Sequence, residues 1–293
     1  MRYINLKSEI FGYLLGDGWI SNRNLNCGFS GDRESLEKIK NDLIYLFGDI
    51  GAANIKVYKT ESKKYGISGE TNRFICNKKV AKQFVMWGAP IGKRVEQNYC
   101  LPDWIINGDF DVKRSFMSGL YAAEGYKPRF AKNNKSLATM GFNMSKRADL
   151  DKDLFISQYS KILTDLGIKF SVNVREVFTC KKNNKIEFVF SNSTENTELV
   201  TRILNPRYSK EKYDMFNKIN LYYGKKIETL NYLKIAKEYS LEHLSESSGD
   251  VAKKFNVTSK QVYSWRKNNT DVRLPQSFPT FDEFIYSSPC GLL

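Results

Sequence analysis

Two nine-residue stretches limit what this chain can fold into more than any other feature. The first is IFGYLLGDG, from Ile10 to Gly18, and the second is MSGLYAAEG, from Met117 to Gly125. Each has the apolar pattern of a helix and carries two small residues four positions apart, which share one helix face. These small residues are Gly12 and Gly16 in the first stretch, and Gly119 and Ala123 in the second. Because a glycine inside a helix costs about 1 kcal/mol relative to alanine, we predict that the two helices pack closely against each other.

Each stretch ends in one acid followed by glycine, Asp17-Gly18 and Glu124-Gly125. Two helices packed side by side would bring Asp17 and Glu124 to the same end of the pair. Like charges held that close repel each other unless a cation lies between them. Hard oxygen ligands of this kind bind Mg²⁺, so the pattern predicts a divalent metal site at the helix ends. Two core helices that end in acid-Gly without binding metal are the alternative interpretation.

The net charge of the 293-residue chain is +14, which indicates a polyanionic partner, nucleic acid before others. The charge is spread through predicted strands and turns, whereas a membrane surface would need it on an amphipathic helix. No run approaches eighteen apolar residues, so no membrane span is expected. A merely basic protein without a nucleic-acid partner is the alternative.

The single histidine, His243, excludes several kinds of chemistry. Ser-His-Asp and Cys-His catalysis and histidine-based metal centres all need a placed histidine, and His243 lies far from both acid-Gly motifs in the sequence. The five cysteines are scattered and form no CxxC pair, which indicates reduced thiols and no zinc site. The N-terminus lacks a small-residue cleavage site, so we expect an intracellular protein, cytoplasmic or organellar, that is not secreted.

The order helix, hairpin, helix, hairpin, helix occurs twice, over residues 1–105 and 106–225, which predicts an α+β repeat. The strands should cover the motif helices with one face and leave the other open. In one predicted strand Val172 and Val174 alternate with polar residues, which fits apolar side chains inward. A basic, polar sheet can enter a DNA groove. The basic residues that we place on or beside this open face are Arg23, Lys56, Lys59, Arg73, Arg175, Lys181 and Lys185.

The tail, residues 226–293, contains a segment that resembles DNA-binding helix-turn-helix units in general. Val251, Ala252 and Phe255 would form the apolar face of a first helix, and Asn256 can adopt the left-handed conformation of the turn. Val262 and Trp265 would be the buried face of the second helix. The second helix would present to DNA the side chains of Ser259, Lys260, Gln261, Tyr263, Ser264, Arg266 and Lys267. A helical hairpin that only packs on the core is the alternative.

The paired motifs resemble those of the LAGLIDADG homing endonucleases, in the single-chain form with two copies. The resemblance implies two pseudo-symmetric αββαββα halves that form a DNA-binding saddle, with the motif helices at their interface. It implies that Asp17 and Glu124 bind the divalent ions, Mg²⁺ with Mn²⁺ or Ca²⁺ as substitutes for binding, that cleave both DNA strands. The backbone carbonyls of Gly16 and Ala123 would add metal ligands. Further catalytic residues expected by position are Lys127, Arg33 and Lys146.

We therefore expect a monomeric, site-specific double-strand DNA endonuclease, with residues 226–293 extending its DNA contacts. Met1 and the C-terminal SPCGLL do not fit the intein form of this family, so a free-standing or intron-encoded enzyme is expected. One alternative is a transcription regulator with an inactive LAGLIDADG domain, although the presence of both acids speaks against it. The other is a maturase that binds intron RNA with the same basic face.

Overall fold

The computed structural model describes residues 2–51, 55–62, 67–178 and 182–287. The first motif helix opens an alternation of helices and strands. In chain order these elements are α1 (Arg2–Asp17), β1 (Gly18–Ile20), β2 (Cys27–Gly31), α2 (Arg33–Phe47), β3 (Lys56–Ser62), β4 (Ile67–Cys76) and α3 (Lys78–Met86). A connector follows, with a single 3₁₀ turn at Arg94–Glu96 and the short helix α4 (Asp103–Ile106).

The second motif helix opens a similar series. Its elements are α5 (Phe110–Glu124), β5 (Arg129–Phe130), β6 (Leu137–Thr139), β7 (Gly141–Arg147), α6 (Lys152–Asp165), β8 (Phe170–Phe178), β9 (Lys182–Phe190) and α7 (Thr194–Ile203). Four helices complete the described chain, namely α8 (Lys210–Glu242), α9 (Ser248–Lys254), α10 (Ser259–Asn268) and α11 (Phe281–Ser287). The mixed helix and sheet content agrees with the predicted α+β class.

The strand pairing of the second series repeats that of the first. The strand order is β1-β2-β4-β3 in one antiparallel sheet and β7-β9-β8 in the other, so β2-β4-β3 corresponds to β7-β9-β8. The glycine after each acid also begins an equivalent pairing, because Gly18 pairs with Phe29 and Gly125 forms a bridge to Phe142. Each acid therefore lies where a motif helix turns directly into a sheet edge.

Each sheet packs one face against helices and leaves the other open. On β9, Ile186 and Phe188 are fully buried, whereas Lys185 and Glu187, which alternate with them, are only half-buried. Period-2 alternation produces this division. The predicted inward orientation holds for Val172, which packs against the core. Val174 was predicted to be buried and is 41% exposed, because β8 is the outer strand of its sheet and fewer side chains cover it.

The elements are fixed at their ends by side chains that the sequence places there. Asp32 caps α2 by accepting a hydrogen bond from the Ser35 amide at 2.9 Å, and Asp109 caps the motif helix α5 in the same way through the Val112 amide. Such caps satisfy amides that have no partner inside the helix. They fix where α5 begins and hence where Glu124 falls at its end.

Helix α8 continues without a break across residues 225 and 226, where the sequence suggested a domain boundary. Beyond that point it joins α9 and α10 in a small separate core. Its buried members are Leu233, Ala236, Val251, Ala252, Val262 and Trp265. Helix α11 packs against the second series, where the ring centroids of Phe281 and Phe130 lie 4.1 Å apart in a stacked arrangement. In the described part of the chain, no helix combines the length and apolar character needed to cross a bilayer.

Candidate active site at the ends of the paired helices

Helices α1 and α5 touch backbone to backbone along the faces that carry the small residues. A Cβ atom added to Gly119 would lie 1.8 Å from the carbonyl oxygen of Glu9, and one added to Gly12 would lie 2.1 Å from that of Phe116. At Gly16 the added atom would lie 2.3 Å from the Cβ of Ala123. Distances this short leave no room for any side chain at the three glycines. The two helices are thus held in a single register.

This register places the two acids together, because Asp17 is the last residue of α1 and Glu124 is the last residue of α5. The Cγ of Glu124 lies 3.1 Å from the position that a Cβ on Gly16 would occupy. Burial raises the pKa of Glu124 to about 7, and the nearby charge of Asp17 acts in the same direction. Burial also raises the pKa of Asp17. Two acids with raised pKa values at one point are typical of a functional site.

Arg94, which the sequence analysis did not single out, binds the C-terminal end of α1. Its guanidinium donates hydrogen bonds to the carbonyl oxygens of Leu14 at 2.8 Å and Gly18 at 2.5 Å, and to that of Gly16. Its positive charge lowers the pKa of Asp17 and Glu124, against the effect of burial. The connector between the two series therefore supplies a cation to the acid pair.

Lys212, near the start of α8, binds the C-terminal end of α5 in a similar way. Its ammonium donates to the carbonyl oxygens of Ala122 at 2.8 Å and of Tyr121 and Ala123 at 3.2 Å each. Burial lowers the pKa of Lys212, while the charges of Asp17 and Glu124 raise it. The carbonyls of Gly16 and Ala123, which were expected to be metal ligands, thus each accept a hydrogen bond from a cationic side chain.

The three cations expected from the sequence have different surroundings in the structure. Lys127 pairs with Glu211, and Arg33 is exposed in the first turn of α2. Lys146 is buried, where its ammonium donates to the carbonyl oxygens of Gln97 at 2.9 Å and Arg94 at 3.4 Å. Burial lowers the pKa of Lys146 to about 8. Lys146 therefore supports the backbone of Arg94, and catalytic roles for the three stay predictions.

The donor set at the helix ends fits a divalent ion that keeps part of its water shell. Mg²⁺ in phosphoryl-transfer sites is commonly held by one or two carboxylates together with water and substrate phosphate oxygens. Asp17 and Glu124 provide two carboxylates, one from each helix. Over the described residues there is no cluster of three or more His, Cys, Asp or Glu side chains that could hold a metal by itself. A site of this composition would be completed by a phosphate-bearing substrate.

The raised pKa of Glu124 predicts a pH-dependent loss of stability. The folded protein keeps this proton to a pH of about 7, whereas the unfolded carboxyl releases it near 4.5, so stability falls as pH rises through that window. We expect Glu124→Gln, which cannot titrate, to remove part of this slope, a difference on the order of 2 kcal/mol by pH 8. Urea unfolding of the metal-free protein between pH 4.5 and 8 measures this difference in stability.

Glu228→Gln, at an exposed acid paired with Lys225, is the control. Equal slopes of stability against pH in wild type and Glu124→Gln would contradict the expectation.

Those basic residues predicted for the open sheet faces that the structure describes lie on the two sheets and their turns. Lys56 is exposed and lies directly opposite Arg73 in the register of β3 and β4. Arg175 lies opposite Lys185 in the register of β8 and β9. Both side chains bind the carboxylate of Glu187 at 2.8 Å. Arg23 is exposed in the turn between β1 and β2, and Lys59 lies in β3. Lys181 lies outside the described residues.

Helices α9 and α10 meet through a turn in which Asn256 has φ +46°, the left-handed conformation that its sequence position suggested. Thr258 and Gln261 form a capping box at the start of α10. Of the side chains predicted to face DNA, Ser259, Lys260, Tyr263 and Lys267 are exposed, and Ser264 is half-buried.

Arg266 was expected to face DNA and instead faces the protein. Its guanidinium donates to the carbonyl oxygens of Ser240, His243 and Glu246, each at 2.8 Å. It turns inward because α8 ends beside α10 and leaves carbonyls without helical partners. The side chain of Gln261 also makes a hydrogen bond within the protein, since its Oε1 accepts from the Thr258 amide at 3.2 Å.

The chain is similar in sequence to parts of longer known proteins. No protein-family model matches the chain. The chain is 30% identical to the replication factor C small subunit of Methanocaldococcus jannaschii, over 95% of its own length and 15% of that protein. It is 28% identical to the tRNA-splicing ligase RtcB of the same organism, over 97% of its own length and 31% of that protein. The chain thus spans less than a third of either relative.

Among solved structures, the chain resembles two homing endonucleases. One is a variant of I-DmoI in complex with its target DNA in the presence of Mn, with a TM-score of 0.40, 14% identity and coverage of 70% of this chain and 95% of that one. The other is I-WcaI bound to its DNA recognition sequence, with a TM-score of 0.41, 17% identity and coverage of 70% and 82%. The scores and identities are low, so the function proposed below rests on the residues at the ends of α1 and α5.

Proposed function

We propose that this chain is a divalent-metal-dependent, site-specific DNA endonuclease of the LAGLIDADG homing endonuclease type. The observation that carries the proposal is the contact between α1 and α5 through Gly12, Gly16 and Gly119, which brings Asp17 and Glu124 to one point. Two helices of unrelated purpose have no need of three glycines in contact or of an acid at each end. One chain supplies both acids, so a monomer would complete the site.

The acids are proposed to hold Mg²⁺, for which Mn²⁺ or Ca²⁺ can substitute in binding. A divalent ion there would polarise a phosphodiester and lower the pKa of an attacking water. The chain's own contribution is to fix two carboxylates at the junction of helix and sheet, so that each half presents one acid to the substrate. Lys127, Lys146 and Arg33 remain candidates for orienting water or phosphate oxygens.

Double-stranded DNA is the proposed substrate because both sheets present polar, basic residues on their open faces. Lys56 with Arg73 on one sheet, and Arg175 with Lys185 on the other, provide positive charge on open sheet faces. The net charge of +14 favours a polyanion on electrostatic grounds. A pseudo-two-fold relation between the halves, suggested by the repeated strand order, would match these faces to a long duplex site.

The two relatives bear names that denote different activities, a replication factor and an RNA ligase. The matched segment is a minor part of each, and neither activity would be expected in a segment that both proteins share. A nuclease that acts by itself fits such a distribution better than either named activity does.

The proposal is tested by incubating the chain with a randomised duplex DNA library in Mg²⁺ and, separately, in EDTA. We expect cleavage at one long sequence in Mg²⁺ and none in EDTA. Sequence-specific binding without cleavage in Mg²⁺ or Mn²⁺ would favour a transcription regulator. Tighter binding to structured RNA than to any duplex would favour a maturase.

Helix α10 is proposed to add contacts to DNA phosphates outside the cleavage site. If Lys260 and Lys267 each neutralise one phosphate, the slope of log K against log salt should fall by about 0.9 for each lysine replaced by alanine. Fluorescence anisotropy with the selected duplex between 50 and 200 mM salt measures this slope. Lys225→Ala, at an exposed lysine of α8 paired with Glu228, is the control, and an unchanged slope in the α10 variants would show that α10 does not contact DNA.

A further inference from the structure

The two cations at the acid pair occupy equivalent places in the chain. Arg94 lies eight residues after the end of α3, and Lys212 lies nine residues after the end of α7. Each of the two residues follows the last helix of its own series in the sequence. Its side chain contacts the motif helix of that same series. Arg94 binds the carbonyls at the end of α1, and Lys212 binds those at the end of α5.

These two ends concentrate negative charge even before a substrate arrives. The C-terminus of a helix carries a partial charge of roughly −0.5, which is localised on its last carbonyls. Two such ends and the carboxylates of Asp17 and Glu124 meet at one point. In the metal-free protein this charge needs cations, and Arg94 and Lys212 are the two cations that the described structure places on these carbonyls.

We propose that Arg94 and Lys212 are resident counter-cations of the acid pair, which compete with a divalent ion for the carbonyls of Gly16 and Ala123. They hold the two helix ends together when no ion is bound, and they weaken the binding of the ion. Both are positioning residues. The inference rests on the metal site proposed above, and it adds that the chain itself sets how tightly that site binds its ion.

A purely structural helix cap would behave differently from a competing cation. Loss of a cap lowers the stability of the protein and leaves metal affinity the same or weaker. Loss of a competitor also lowers the stability of the metal-free protein, but it strengthens metal binding, since one positive charge no longer repels the ion and a carbonyl is released. The direction of the change in affinity therefore separates the two roles.

The test is a calorimetric titration of the full chain with Mn²⁺, without DNA, for wild type and Lys212→Met. We expect about tenfold tighter binding by Lys212→Met, and nearly wild-type affinity for Lys212→Arg, which keeps the charge. Lys226→Met is the matched control, because Lys226 is a buried lysine of the same helix whose ammonium donates to the Lys135 carbonyl. Its Mn²⁺ affinity should equal that of wild type.

Thermal unfolding provides a second readout. Lys212→Met should melt below wild type without metal, and the difference should shrink at saturating Mn²⁺. Should Lys212→Met fail to fold, Lys212→Gln keeps donors for the carbonyls without the charge and should still bind Mn²⁺ more tightly.

Unchanged or weaker Mn²⁺ binding in a folded, uncharged variant would overturn the inference and leave the metal site standing. Absence of Mn²⁺ binding in every variant, wild type included, would overturn the metal site and the inference together.

Discussion

Gly119→Ala is expected to destabilise the protein by about 3 kcal/mol or more. The added Cβ would lie 1.8 Å from the Glu9 carbonyl oxygen and 3.0 Å from the Tyr13 amide nitrogen. Both neighbours are backbone atoms of α1, so the clash can be relieved only by separating the two motif helices, which is a severe form of overpacking. Urea unfolding followed by circular dichroism measures the loss.

Gly224→Ala is the matched control, because Gly224 also lies inside a helix, α8, and a Cβ there would meet no atom within 4 Å other than the adjoining backbone of its own helix. Alanine should stabilise α8 by about 1 kcal/mol, owing to its higher helix propensity. The opposite signs expected at two helical glycines test whether α1 and α5 are in backbone contact. A Gly119→Ala protein as stable as wild type would show that they are not.

Asp17→Asn and Glu124→Gln are each expected to reduce DNA cleavage on the order of 10³-fold in Mg²⁺. Each variant removes one of two charged ligands of the proposed metal site, which provides several kcal/mol of transition-state stabilisation. Binding of the duplex should persist, because removal of a negative charge weakens neither the basic sheet faces nor α10. Single-turnover cleavage and anisotropy on the same target separate the two effects.

Glu228→Gln serves again as the control and should cut at the wild-type rate. Near wild-type cleavage by either acid variant would remove that acid from the proposed site. Loss of binding together with cleavage would point instead to a defect in folding or in the DNA surface, which the melting temperatures of the same preparations would reveal.

The acid pair could be predicted from the sequence because its signals are local. Small residues four apart and a terminal acid-Gly lie within nine residues, and helix periodicity alone places them on one face and at one end. The turn at Asn256 was predictable for a similar reason, since few residues other than glycine adopt the left-handed conformation readily. Where a few neighbouring residues determine a conformation, the sequence indicates it.

The cations at the site could not be predicted because their partners are distant in sequence. Arg94 binds carbonyls 76 to 80 residues away, and Lys212 binds carbonyls 89 to 91 residues away. A lysine or arginine that binds backbone carbonyls leaves no signature among the 46 basic residues of the chain. Lys127, which was expected to act at the site because it is close to Glu124 in the sequence, pairs with Glu211, and its role at the site stays a prediction.

Tertiary packing also decided the orientation of Arg266. Arg266 turned inward because the end of α8 and the loop that follows it present three carbonyls beside α10, which a helical-wheel argument on α10 alone does not include. The boundary expected at residue 225 lies inside α8, since a change in composition along a chain does not require a break in a helix, and the division into domains stays a prediction.

Affinity cleavage with Fe²⁺ tests the central claim most directly, that the ends of α1 and α5 form one divalent metal site. Fe²⁺ bound in place of Mg²⁺, with ascorbate and peroxide, cuts the backbone near the ion. We predict cuts near residues 17 and 124, suppressed by excess Mg²⁺ and lost at both places in Asp17→Asn and in Glu124→Gln. Cuts near only one acid, or cuts that persist in the variants, would contradict a shared site.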